Sequence, residues 1–146
     1  IKLPDVSLIM QEHKALGMVG KIELPAGFDK LEGEIKWNSF YQDVMRKTAN
    51  PWQAVALQCR SSIDCYNSQG KANQLALVTH LTVMFKKNPL GTFKQNENPE
   101  FSSAFGCTYI KQVVDGETLL ELDYMANIFR VNGVDQLSTY RNNIGG

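Results

Sequence analysis

Residues 53–65 read QAVALQCRSSIDC, and this stretch decides the fold class. Its alternate positions carry the apolar side chains of Val55, Leu57, Cys59, Ile63 and Cys65. The positions between them are mostly small, polar or charged. Successive side chains of a β-strand point to opposite faces of its sheet, so this period of two predicts a half-buried strand. The stretch therefore indicates a mainly β protein.

A second run, residues 75–85, is apolar on both of its faces. One face carries Leu75, Leu77, Leu81, Val83 and Phe85, and the other carries Ala76, Val78, His80, Thr82 and Met84. A sheet that is covered on one side only usually presents polar side chains on its outer face. We therefore expect a further layer, such as a neighbouring subunit, over this strand.

Five other alternating runs predict strands over residues 6–12, 21–24, 31–37, 103–114 and 118–129. Asp115-Gly116 separates the last two, and this dipeptide supplies the positive φ angles that a two-residue hairpin turn requires. The turn predicts antiparallel pairing. The stretches NPLG (88–91) and NENP (96–99) mark loops.

One helix is predicted over residues 39–48, with Ser39 as its N-cap. Its inner face would carry Phe40, Tyr41, Val44 and Met45. The sequence Asn50-Pro51 ends it, because a residue before proline avoids the helical conformation. The chain of 146 residues is thus expected to form a single antiparallel β-rich domain, 1–146, with one helix.

The composition argues against strong binding of nucleic acid or membrane. Fifteen Lys and Arg balance 15 Asp and Glu, so no net field attracts the chain to phosphate. No apolar run reaches the roughly 18 residues of a spanning helix, and we expect no membrane anchoring. The 3 cysteines form no C-x-x-C pair, which favours a reduced compartment over a zinc or redox site.

No pattern indicates catalysis, a metal or a cofactor. His13 and His80 lie far apart and lack metal-ligand spacing. Glu32 with Glu34, and Glu121 with Asp123, lie two apart on predicted strands, so each pair faces one way. Such pairs could serve as the two carboxylates of a glycosidase, but they are also typical of the solvent-exposed, or wet, face of a sheet. We expect no enzyme and no cofactor.

The C-terminal stretch resembles a known family. A V-D-G hairpin at residues 114–116 precedes an N-G-V-D-x-L box, and R-x-x-I-G follows at residues 141–145. The box comprises Asn132, Gly133, Val134, Asp135 and Leu137. This end is similar to that of the major tail tube proteins of contractile-tailed phages and of R-type pyocins. The box could instead be a purely local turn, since Asn-Gly is turn chemistry in any protein.

The N-terminal half is similar to the family more loosely. Leu3-Pro4-Asp5, followed by a polar strand and Gly17-Met18-Val19-Gly20, resembles the family's long early loop. The resemblance implies a contact with the next ring of subunits through His13, Lys14, Ala15, Leu16, Gly17, Met18, Val19 and Gly20. A mobile hairpin tip is the alternative. Family members carry a strand before the Leu-Pro segment, so the resemblance also implies that an N-terminal strand is lacking here.

The resemblance implies an antiparallel β-sandwich or partly closed barrel with one flanking α-helix, a fold shared with the tube protein of type VI secretion. Subunits would join edge to edge into hexameric rings that stack into a tube. The implied partners are other copies, the tail sheath protein, the baseplate and tail terminator proteins, and a tape-measure protein in the lumen. DNA would be a transient passenger. The tube would belong to the virion tail, and its subunits would be made in the bacterial host cytoplasm.

The wet sheet face is the candidate lining of the lumen, where Glu32, Glu34, Glu121 or Asp123 would lie. Neutral or acidic side chains let DNA slide, because they make no tight phosphate contacts. Two alternatives stay open. One is a subunit of an R-type pyocin or of a type VI-like injection system. The other is a monomeric β-sandwich that binds or hydrolyses a ligand, which predicts a concentrated polar pocket.

Overall fold

The computed structural model describes residues 1–91, 93–95, 97 and 100–146, and its fold is mainly antiparallel β, as predicted. Two short helices accompany the strands. In chain order the elements are β1 (Leu8–His13), β2 (Ile22–Phe28), β3 (Leu31–Trp37), α1 (Gln42–Thr48), β4 (Val55–Asn67), β5 (Gly70–Lys87), β6 (Phe101–Val114), β7 (Glu117–Asp123), β8 (Ile128–Val131), β9 (Val134–Asp135) and α2 (Ser138–Asn143).

The strands form two sheets. A large sheet has the order β4-β5-β6-β7-β8-β9, and β1 with β2 forms a separate hairpin. The strand β3 also pairs with β6, along residues 101–107, whereas β7 pairs with β6 along residues 109–114. Thus β3 and β7 follow one another along the same edge of β6. Among the described residues the large sheet stays open, so the architecture is sandwich-like and not a closed barrel.

A β-bulge in β6 controls which side chains share a face. Thr82 lies opposite Tyr109 and Val83 lies opposite Cys107, so Thr108 has no opposite residue on β5. One extra residue shifts the alternation of the strand by one position. Tyr109 consequently lies on the same face as Gly106.

The core occupies one face of the large sheet. Its buried members are Leu31, Ile35, Leu81, Val83, Phe85, Phe105, Cys107, Ile110 and Leu122. Gly33 is required beside this core, because a Cβ there would overlap the Phe105 ring and lie 2.7 Å from the Lys2 carbonyl oxygen. The opposite face of β5, from Ala76 to Met84, is half-buried or exposed, so the described chain does not cover it fully.

The first helix begins later than predicted. Its N-cap position is Tyr41, which makes no side-chain cap hydrogen bond, so the assignment of Ser39 as N-cap is wrong. Phe40 and Tyr41 are 53% and 52% exposed and precede the helix, which corrects the predicted inner face. Val44 and Met45 are half-buried as expected, and Thr48 is the buried residue of the helix.

The strand predicted over 118–129 is two strands joined by a turn. The Asp123 carboxylate accepts hydrogen bonds from the backbone N–H groups of Met125 and Ala126, and Asn127 adopts a φ of 53°. By contrast, Asp115-Gly116 forms the predicted hairpin turn, with φ angles of 50° and 82°. Helix α2 was not predicted. The predicted loop over 88–91 is confirmed, whereas that over 96–99 lies outside the described residues apart from Glu97.

Candidate functional site

The β1–β2 hairpin forms an arm that projects from the domain, and it is called the arm below. Every residue of its two strands is exposed except Phe28, which is half-buried. Its large apolar side chains are 44–49% exposed: Leu8, Ile9, Met10, Ile22 and Leu24. Phe28 anchors the base of the arm, where its ring lies 4.8 Å from that of Phe129.

The predicted early loop, residues 13–20, is the tip of this arm. His13 is the last residue of β1, and the loop that follows contains a tight turn. The Met18 N–H donates to the Ala15 carbonyl at 3.1 Å, and Gly17 has a φ of 88°. A positive φ at the third position is the requirement of a type II turn, which glycine meets. This turn leaves Leu16, like the nearby Val19, fully exposed.

The four candidate carboxylates lie on the same face of the large sheet, which is called the wet face below. Glu32 is opposite Gly106 and Glu34 is opposite Ala104, whereas Glu121 is opposite Lys111 and Asp123 is opposite Tyr109. Residues directly opposite each other on neighbouring strands share a face of the sheet. The bulge at Thr108 shifts the alternation of β6 by one residue, so that Ala104, Gly106, Tyr109 and Lys111 all lie on the same face. The structure thus joins two pairs that are about 90 residues apart in the chain.

Cations and hydroxyls pair with most of these carboxylates. Glu32 bonds to Lys86 and lies 3.1 Å from the Lys30 ammonium, and these two hydrogen bonds hold its pKa below the usual value. Glu34 accepts a hydrogen bond from the Ser102 hydroxyl. The wet face is therefore not a bare acidic surface.

The second pair is held differently. The Glu121 carboxylate lies 3.4 Å from the Arg130 guanidinium, and the Tyr109 hydroxyl donates to it at 3.5 Å. Burial, together with the charge of Glu121, raises the pKa of Tyr109. Asp123 shapes the β7–β8 turn and so has a structural role. Sequence analysis missed Arg130 as a partner of Glu121, since their pairing depends on the unpredicted turn.

The C-terminal box forms a turn and a set of hydrogen bonds that fix the position of α2. Asn132 and Gly133 form the β8–β9 turn with φ angles of 52° and 81°, as the local-turn alternative anticipated. Asp135 pairs with the Arg141 guanidinium and also accepts the Leu137 N–H at 3.0 Å. Arg141 donates as well to the Asn127 carbonyl at 3.0 Å. The hydrogen bond from Arg141, and after it the one from the Leu137 N–H, lowers the pKa of Asp135, while the two bonds of Arg141 hold α2 against the β7–β8 turn.

A cleft opens at the end of the large sheet, and it is called the end cleft below. It has a volume of about 790 Å³. Leu75, Val114 and Leu119 give it an apolar lining, and Asp115 and Glu117 add two carboxylates. The turn at residues 132–133 closes one side. Sequence analysis missed this cleft because its walls come from three separate segments of the chain, around residue 75, over 114–119 and at 132–133.

Metal-ligand clusters and membrane-spanning helices are both absent from the part of the chain that the structure describes. No group of three His, Cys, Asp or Glu side chains there could hold a metal ion. Neither of the two described helices is long and apolar enough to cross a bilayer. The three cysteines are free, and burial raises the pKa of the Cys107 thiol, which donates to the Tyr109 carbonyl at 2.9 Å.

Comparison with known proteins decides the family. A family model described as phage tail tube protein FII matches residues 1–145. This chain belongs to that family. The tail tube protein of Escherichia phage P2 is 28% identical over 149 residues, an alignment that covers 99% of this chain and 85% of the P2 protein. The resemblance drawn from the C-terminal box is thereby confirmed.

Family membership also settles the class of function. Phage tail tube proteins are structural components of the tail, so the prediction of a structural protein and not an enzyme is confirmed. The pattern of alternating strands alone could not have shown this, because fold does not imply function.

Proposed function

We propose that this tail tube protein assembles into stacked hexameric rings, which form the conduit for DNA in a contractile phage tail. The observation that carries the proposal is the arm: its apolar side chains are about half exposed along both strands. An isolated two-stranded hairpin is marginally stable in water, so it needs a surface to pack against. Another copy of the chain provides that surface in a tube.

The open edges of the large sheet support ring formation. Strand β4 runs for 13 residues at one end of the strand order and pairs only with β5 among the described strands. Its free edge offers unpaired backbone groups to another chain. Joining one edge of each copy to the opposite edge of the next copy gives a heterologous contact, which closes as a ring when the rotation permits.

The wet face supports a lumen that does not retain DNA. Glu32, Glu34, Glu121 and Asp123 line it in this proposal, together with the cations that pair with them. Because Lys86 and Arg130 are occupied by carboxylates, they are poorly available to phosphate. Tight binding of DNA requires phosphate contacts that release counterions, and a self-paired face makes few of these. A tape-measure protein would occupy the same lumen before DNA does.

The tip of the arm, residues 13–20, contacts the next ring in this proposal. Full exposure of Leu16 and Val19 supports such a role, since apolar side chains at a turn are costly unless a partner covers them. The outer surface of the tube would contact the tail sheath protein, and its two ends would meet the baseplate and tail terminator proteins. The tube belongs to the virion and is built from subunits made in the host cytoplasm.

Negative-stain electron microscopy tests the proposal directly. The purified chain would be imaged over a range of protein and salt concentrations, beside a variant in which Leu16 and Val19 are both replaced by serine. We expect rings and hollow tubes for the unmodified chain and fewer tubes for this variant. A protein that stays monomeric under all conditions, even with a tail-initiating complex added, would refute the assembly.

A further inference from the structure

We propose that the end cleft is the seat for the tip of the arm of another copy, an inference that rests on the proposed function. The tip is a compact knob: a type II turn presents Leu16 at its corner and Val19 just beyond it. Both side chains are fully exposed. The end cleft, at about 790 Å³, falls within the size range of pockets that bind small molecules, so it has room for a few side chains.

The end cleft is apolar because the core face is not capped there. Leu77 lies opposite Val114, and Leu75 is on the same face of β5, two residues beyond Leu77. These side chains continue the row of Leu81 and Val83, but they are half-buried where Leu81 and Val83 are buried. Leu119 adds a side chain that is 45% exposed. At the end cleft the apolar face of the core thus stays partly exposed to solvent, and apolar side chains of another copy would displace water from it.

The positive charge near the tip of the arm is complementary to the negative charge at the rim of the end cleft. Lys14 precedes the turn and Lys21 follows it, but Lys21 is 3.7 Å from the Glu12 carboxylate of the same arm, so Lys14 is the cation that the tip offers to a neighbour. Asp115 and Glu117 lie at the rim of the cleft, and both residues are exposed. Neither carboxylate has an ion-pair partner among the described residues, and Lys14 has none either. Complementary charges at a rim set the register and orientation of a docking contact.

The cleft and the tip are present on every copy, and one tip fits one cleft. A contact between different patches on identical copies is heterologous, so each copy offers a tip to one neighbour and a cleft to another. This arrangement propagates along an open filament. The end cleft therefore gives the arm a defined seat, and the seat fixes how one ring follows the next.

A charge swap tests the seat. Lys14→Glu and Glu117→Lys would each raise the protein concentration needed for tube formation by about tenfold or more, the change that ~1.4 kcal/mol produces. The double variant would restore it, because it rebuilds the pair between copies. A matched control combines Lys14→Glu with Asp5→Lys, which places the same charges at an exposed site away from the cleft. Circular dichroism would show that each variant folds.

A cross-link gives a second readout. In assembled tubes, Leu16→Cys with Leu119→Cys should form disulfides that join copies into a ladder on a non-reducing gel. Leu16→Cys with Leu90→Cys is the control, because Leu90 is 81% exposed but lies outside the cleft. Tubes that form with no rescue by the swap and no ladder from the Leu119 pair would overturn the seat and leave the tube intact. An unmodified chain that forms no tubes would overturn the proposed function, and the seat with it.

Discussion

Single residues show where the fold tolerates no change. Gly33 on β3 faces the core, and an added Cβ would collide with the Phe105 ring. On the paired strand, a Cβ at Gly106 would meet nothing within 4 Å. We predict that Gly33→Ala lowers the free energy of unfolding by about 1–3 kcal/mol, the usual cost of overpacking. Gly106→Ala is the matched control and should change it little. Urea denaturation measures both, and equal effects would refute this account of Gly33.

Asp135, in the C-terminal box, makes the stability of the protein depend on pH. Its folded pKa is lowered, so its contribution to stability is complete above the unfolded pKa of about 3.9 and is lost as pH falls through the folded value. We predict that Asp135→Asn is less stable than the unmodified protein at pH 7, and that the difference shrinks below about pH 4. Thermal melts between these pH values measure it. Asp5→Asn is the control, and a difference independent of pH would argue against the Arg141 pairing.

Sequence reasoning at this scale succeeded where the chemistry was local. Asp115-Gly116 was predicted as a hairpin because only a few residues adopt its φ angles readily. The four carboxylates were chosen by phase alone, and the structure places them on one face. Their partners could not be predicted, since Arg130 faces Glu121 through the β7–β8 register and Lys86 lies at a register shift between β5 and β6.

At the scale of elements, the arm is attached to the rest of the domain through the packing of Phe28 at its base. Phe28 packs edge-on against Phe129 and near Tyr124, and the rest of the arm is exposed. We predict that Phe28→Ala destabilises the domain by about 1–3 kcal/mol, less than the same change at a fully buried phenylalanine because Phe28 is only half-buried. Tyr66→Ala is the control, since that side chain is 70% exposed. Hydrogen exchange should show faster exchange in β1 and β2 for Phe28→Ala alone, and unchanged exchange there would contradict the anchoring role.

Strong period-two patterns predicted the strands, but their ends were harder. The β7–β8 turn was missed because no glycine marks it: the Asp123 side chain bonds two backbone N–H groups there instead. The start of α1 was placed at Ser39, whereas the N-cap position is Tyr41 and no side chain caps the helix there. Helix α2 was missed because its apolar periodicity is weak and Arg141 holds it through contacts outside the helix, to Asp135 and to the Asn127 carbonyl. Such tertiary contacts override local propensity.

On the scale of the whole molecule, the wet face carries both charges, with Glu32 paired to Lys86 and Glu121 paired to Arg130. In the proposed tube, Glu121→Gln would leave Arg130 without its carboxylate partner, next to Lys111 on the neighbouring strand. We predict that tubes of this variant retain short single-stranded DNA, with a log–log salt slope steeper by about 0.7 for each additional phosphate that the lumen binds. Asp43→Asn, at an exposed position on α1 away from the wet face and the end cleft, is the control. Binding assays across salt concentrations measure the slope, and an unchanged slope would indicate that the wet face lies elsewhere.

The orientation of the wet face is the central claim for the whole assembly, and helical reconstruction of assembled tubes by electron cryomicroscopy tests it most directly. The account predicts six copies per ring, with Glu32, Glu34, Glu121 and Asp123 facing the lumen and the free edge of β4 paired with a neighbouring copy. Tubes in which these carboxylates face outward, or in which β4 remains unpaired, would contradict it.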